Sequence, residues 1–133
     1  MRKSSSTNLQ NERWLLDKCP FNLTLSALGN RWRAAVLWKI LRGERRFGDL
    51  MRAIPRITEK MLAQELERLQ SLGLVEKQVC SERPLRVEYA VTERGGSLEP
   101  LLASMYAWGE MQQALAREQQ DLPEVQLLER QSS

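Results

Sequence analysis

A mainly α-helical fold carrying one small β-hairpin is what this chain predicts, and three stretches predict it. "ITEKMLAQELERLQSLGLV" places Leu62, Leu66 and Leu69 at i, i+4 and i+7, the spacing of one helix face. "LVEKQVC" and "RVEYAVT" are short strand-like runs separated by "SERPL", the order of a hairpin. Residues 97–118 hold Leu98, Leu101, Leu102, Met105, Trp108 and Leu115 near heptad positions, which predicts a long helix after the hairpin.

The remaining elements follow in chain order. Residues 1–8 are polar and serine-rich, a tail. "LQNERWLLDKC" predicts a short helix burying Leu9, Trp14 and Leu15; Pro20 then disfavours helical backbone at Cys19. "NLTLSALGN" predicts a second short helix with Leu25 and Leu28 on one side and a Gly29-Asn30 stop. "RWRAAVLWKILRG" is a firmer helix through Trp32, Val36, Leu37 and Ile40, ended by Gly43; Trp32 and Trp38 are expected in the core. "GDLMRAIP" predicts a compact helix with Leu50, Met51 and Ile54 inward, stopped by Pro55. Thr58 stands at an N-cap position, and Met61 three residues later rules out a capping box. In the second strand Val87, Tyr89 and Val91 alternate with Arg86, Glu88 and Ala90. "DLPEVQLLERQSS" closes the chain as a tail.

Composition narrows the function. With 133 residues, 42% hydrophobic and 28% charged, the chain is expected to form one globular domain with a modest core. No apolar run approaches the roughly 20 residues of a bilayer span, and the N-terminus lacks a signal-like apolar stretch, so a cytoplasmic protein without a membrane partner is expected. The chain has no histidine, which removes the commonest general base and metal ligand. Cys19 and Cys80 form no CxxC pair, and neither a Walker loop nor GxGxxG occurs. No metal, no cofactor and no enzymatic activity are therefore expected. The net charge of +3 is unevenly spread. Residues 31–60 carry nine basic and three acidic side chains, while the last 24 residues carry two and five. Such a basic block marks either a polyanion-facing surface or solvated helix faces.

Two helices joined by a tight turn and followed by a hairpin is the order of a winged helix-turn-helix. Its second helix matches a major groove about 12 Å wide. At about 100° per residue, Lys60, Gln64 and Glu67 lie opposite the leucine stripe. Lys60 is cationic, Ala63 is short, and Gln64 can bond adenine at two points. Glu59 suits phosphates poorly and serves instead the helix N-terminus or a pair with Arg56.

From Cys19 to Glu110 an ordered set of pieces resembles the HxlR-type subfamily of bacterial MarR-like winged helix-turn-helix regulators. These are "CP" before the first core helix, "GNRW" opening the second, "RRFGDLMRAIP" as the first helix of the motif, "ITEKMLAQELERLQSLGLV" in the recognition position, "RVEYAVTERG" leaving the wing, and "WGE" near the end of the last helix. The resemblance implies a homodimeric transcriptional regulator that binds double-stranded DNA at a pseudo-palindromic operator. It implies a tail and short dimerisation helix over 1–18, a winged-helix core over 19–96, a dimerisation helix over 97–118, and a tail over 119–133. Carried over by position, Thr58, Lys60, Ala63 and Gln64 face bases, Arg45 and Arg46 lie near phosphates, and Arg83 and Arg86 sit on the wing. Trp14, Leu98, Leu101, Leu102, Met105 and Trp108 form the dimer face.

Several alternatives stay open on the residues alone. Arg86 either contacts DNA or pairs with Glu88 or Glu76. Trp108 belongs to a dimer seam or to the core. Some relatives use a cysteine in the "CP" position as a thiol sensor, and Lys18 beside Cys19 favours a thiolate; a buried, unreactive thiol is the other reading. Cys80 fits no such pattern, and a disulfide between Cys19 and Cys80 of different subunits needs distances to judge. The competing function is a winged-helix module that binds another protein without DNA. No residue identifies a small-molecule effector, an operator sequence, or the sign of regulation.

Overall fold

The structure, a computed structural model, describes residues 19–120. The expected N-terminal helix, with Trp14 as a dimer-face residue, and the C-terminal tail lie outside the described residues. The elements are α1 (Pro20–Leu28), α2 (Arg31–Leu41), α3 (Phe47–Ala53), α4 (Glu59–Ser71), β1 (Val75–Glu82), β2 (Leu85–Val91), α5 (Glu93–Gly96) and α6 (Glu99–Gln120). The chain divides into two compact units, Met1–Gly96 and Ser97–Ser133.

Helix α1 starts earlier than expected because Pro20 opens it rather than breaking the chain. Proline lacks only an N–H that has no partner in a first turn. Cys19 before it is extended, with φ −113° and ψ 106°. Leu28 is buried, but Leu25, expected beside it, is exposed. Asn30 caps α2, its side chain accepting from the Arg33 N–H at 3.0 Å. Val36, Leu37 and Ile40 point into the core. Trp32 and Trp38, expected there too, are only half-buried. Each ring lies under a guanidinium, Arg31 at 5.1 Å and Arg42 at 4.3 Å, so the indoles sit at the rim of the core.

Helix α3 begins at Phe47 and ends before Ile54. Ile54 and Ile57 are both buried, and the Ile57 N–H donates to the Ile54 carbonyl at 3.4 Å. The chain between them must turn within Pro55 and Arg56. Arg56 completes the turn with φ 70°. A non-glycine residue in this left-handed region costs on the order of 1 kcal/mol.

Helix α4 is capped as expected, the Thr58 hydroxyl accepting from the Met61 N–H at 3.1 Å. Its leucine stripe meets α2 and α3 in the core, where Val36, Leu37, Leu50, Leu62, Leu66 and Leu69 are fully buried. Each such side chain contributes about 1.5–3 kcal/mol. Gly73 ends α4 with φ 73°, donating to the Gln70 carbonyl while Leu74 donates to the Leu69 carbonyl. This double closure requires the left-handed backbone that glycine adopts without a Cβ penalty.

The hairpin pairs β1 with β2 antiparallel from Val75↔Val91 to Glu82↔Leu85, and Arg83 and Pro84 form its tip. Cys80 is the extra residue of a bulge between Val79 and Ser81. The expected alternation along β2 is blurred, since residues 87–91 are all half-buried. Glu88 is covered by Arg86, which pairs with it. At the wing's exit Thr92 donates from its backbone N–H to the Leu74 carbonyl at 3.1 Å and from its hydroxyl to the Gly73 carbonyl at 2.6 Å. That hydroxyl also accepts the Gly95 N–H at 3.0 Å. Gly95 lies so close to β1's approach that a Cβ would stand 2.0 Å from the Leu74 carbonyl oxygen. Only glycine fits this junction.

Helix α6 starts at Glu99, two residues later than expected. Leu101, Met105, Trp108 and Leu115 are exposed on an arc of about 80°. Leu102, assigned from the sequence to the same face, is buried at 4% exposure and is withdrawn from it. It lies about 100° around the helix from Leu101, as consecutive residues must. Leu98 is half-buried.

Candidate nucleic-acid interface

The outward side of α4 follows from its inward one. With Leu62, Leu66 and Leu69 held in the core, Lys60, Ala63, Gln64 and Glu67 are exposed. Thr58 is exposed as well, although its oxygen is engaged in capping the helix. The four residues expected to face bases therefore stand together at the start and on the outer flank of one helix. Nothing within the described chain covers them.

The basic block of residues 31–60 separates into two sets. Arg31 and Arg42 lie on tryptophan rings, Arg52 pairs with Asp49, and Arg33 is buried against Glu65. These arginines serve the fold. Arg45, Arg46, Arg56 and Lys60 are exposed, and no ion pair to another described residue engages them. Arg46 is the N-cap residue of α3, and the Arg45 carbonyl accepts the Tyr89 N–H at 2.7 Å. That bond ties the segment before α3 to the outer edge of β2. Burial pushes the Tyr89 phenol up, so it stays neutral.

On the wing the two arginines differ. Arg83 is exposed at the tip. Arg86 instead donates from Nε to Glu88 at 2.9 Å, with a second nitrogen at 2.7 Å. It is nonetheless exposed on the wing, and a surface pair of this kind is weak. Of the partners left open, Glu88 is the one taken; Glu76 accepts from Gln78.

Sequence reasoning missed the residue that fixes how α4 is rotated. Glu65 is buried and accepts from Arg33 Nε at 2.9 Å and from Asn30 Nδ2 at 3.1 Å. Asn30 thus caps α2 with one side-chain atom and holds α4 with the other. Arg33 also reaches the Ser26 carbonyl of α1 at 3.5 Å. Of the two roles left open for Glu59, it takes the one at the helix N-terminus, in the first turn of α4, and it makes no ion pair with Arg56. Cys19 is half-exposed at the N-cap of α1, Cys80 is exposed on the wing, and both are free thiols.

Among the described residues, no group of three or more acidic or cysteine side chains is placed to hold a metal ion. No described helix is long and apolar enough to cross a membrane.

A helix presented by a tight turn, a polar flank above a leucine core, and a hairpin anchored directly behind it define a winged helix-turn-helix regulator. The chain belongs to the HxlR-like helix-turn-helix family, whose profile matches residues 27–131. It is 42% identical over 93 residues to the uncharacterised HTH-type transcriptional regulator YdzF of Bacillus subtilis (strain 168), covering 69% of this chain and 85% of that one. Among solved structures it resembles the redox regulator HypR in its reduced form, with a TM-score of 0.68 and 33% identity over 74% of this chain and 98% of that one. It also resembles the reduced transcriptional regulator YodB from B. subtilis, with a TM-score of 0.60 and 36% identity over 69% and 91% of the two chains.

Proposed function

We propose that the chain is a cytoplasmic homodimer that binds a pseudo-palindromic operator, its two α4 helices entering major grooves about 34–36 Å apart. The observation that carries this reading is the exposed flank of α4, with Lys60, Ala63 and Gln64 directed away from the leucine stripe. Gln64 reads a base, Lys60 supplies charge at the groove, and Arg45, Arg46 and Arg83 meet phosphates. The apolar strip of α6 through Leu101, Met105 and Trp108 joins the protomers. The exposed Phe21, Leu23 and Leu25 of α1 add a second apolar surface suited to the same use.

Lys60→Ala is expected to weaken binding about tenfold on every duplex. Gln64→Ala is expected to cost about 1–3 kcal/mol at one base pair of each half-site and to relax selectivity there. Gel shifts on the intergenic DNA upstream of the chain's own gene, followed by competition with single-base variants, measure both. If Gln64→Ala leaves the ranking of variants unchanged, Gln64 is not the reader. Absence of any shift would favour the protein-docking module instead.

The resemblance to the redox regulator HypR supports Cys19 as a thiol sensor. A thiol oxidant is expected to change DNA binding by the wild type and not by Cys19→Ser. An equal response from both proteins removes Cys19 from that role.

A further inference from the structure

Resting on the DNA-binding reading, we propose that Arg56 is a phosphate-contacting residue, retained at a backbone position that disfavours it. Three observations converge. Arg56 has φ 70°, at the third position of a Pro-containing turn where glycine or asparagine is the favoured residue. The turn cannot relax, because Ile54 before it and Ile57 after it are both buried. The guanidinium is exposed and makes no ion pair with a described residue, whereas Arg33, Arg52 and Arg86 each have a carboxylate partner. An exposed arginine that makes no ion pair with a described residue and loads its own backbone has its use outside the fold.

Its position indicates that use. Arg56 stands two residues before the Thr58 cap, in the segment that delivers α4. When α4 lies in a major groove, the turn at its start faces the strand that borders the groove. A guanidinium there donates two parallel hydrogen bonds to phosphate oxygens. Such a contact adds affinity and sets register, and it reads no sequence.

Two substitutions separate charge from backbone. Arg56→Gly removes the guanidinium and relieves the turn; Arg56→Ala removes the guanidinium and leaves the turn strained. Thermal unfolding without DNA is measured first. Arg56→Gly is expected to raise the melting temperature by about 3–5 °C, with Arg56→Ala near wild type. Binding is then titrated against NaCl on two probes, the upstream intergenic duplex and an unrelated duplex of equal length. Both variants are expected to lose about tenfold in affinity on each probe, and the log–log salt slope to fall by about two, one contact per protomer. Arg56→Lys is expected to keep the slope. Wild-type binding with unchanged affinity and slope in Arg56→Ala overturns the Arg56 contact alone. Loss in Arg56→Gly but not in Arg56→Ala overturns it as well, assigning the effect to the turn's geometry. A wild type that binds neither duplex overturns the contact together with the DNA-binding reading.

Discussion

Replacing Glu65 with alanine is expected to cost about 3–5 kcal/mol of folding stability. The carboxylate is buried, and its two oxygens accept from Arg33 and Asn30. Removing it leaves the Arg33 guanidinium, itself largely buried, without a counter-charge. The desolvation of that charge is then uncompensated, which is why truncating one partner costs more than the pair contributes in sum. Glu65→Gln keeps the shape and one acceptor for Arg33, so an intermediate loss is expected. Denaturant unfolding of Glu65→Ala, Arg33→Ala and the double variant tests this. The expected coupling is at least about 1 kcal/mol, since the two groups touch. Additive losses, or a Glu65→Ala cost below about 1 kcal/mol, would show that packing alone holds α4 against α2. The network also bears on recognition, because Glu65 is the neighbour of Gln64 on the same helix. A few degrees of rotation at position 65 displace the Gln64 amide, the proposed base reader.

The second large effect is expected at Trp108, which is 66% exposed on α6 between Met105 and Met111, also exposed. An indole presented to water in a row of apolar neighbours suits the proposed dimer face. Aromatic anchors of this kind carry a disproportionate share of interface energy. Trp108→Glu places a charge in that row and is expected to convert the proposed dimer to monomer in sedimentation velocity. Binding to a duplex with two half-sites is expected to fall about 100-fold or more, because the second half-site contact ceases to be intramolecular. Affinity for a single half-site should change little. A Trp108→Glu protein that remains dimeric places the interface elsewhere.

How far the sequence could be read depended on whether a contact was local. The leucine stripe of α4, the Thr58 cap and the hairpin were legible because each depends on neighbours a few positions away. Leu102 misled because a heptad match does not say which of two adjacent leucines turns inward. Glu65 was missed although a signal was present. Counted at about 100° per residue, it falls about 60° from Leu62, on the buried side. A glutamate at that angle calls for a buried partner, and Arg33, the residue directly after "GNRW", was available. The partner's identity depends on tertiary contact across 32 positions, which periodicity does not encode. The same holds for the bond between Tyr89 and Arg45. Arg56 was legible as a charge but not as a strained residue, since the positive φ arises from the burial of Ile54 and Ile57 on either side.

The root of the hairpin is moored twice, by Tyr89 to the Arg45 carbonyl and by Thr92 to the carbonyls of Gly73 and Leu74, while the moorings stop well short of Arg83 and Pro84. Residues 82–85 can therefore be exchanged, lengthened or shortened as a cassette without disturbing the platform beneath. Over evolutionary time, or in the hands of a protein engineer, this is the part of the molecule where the proposed grip on the DNA backbone is most readily altered.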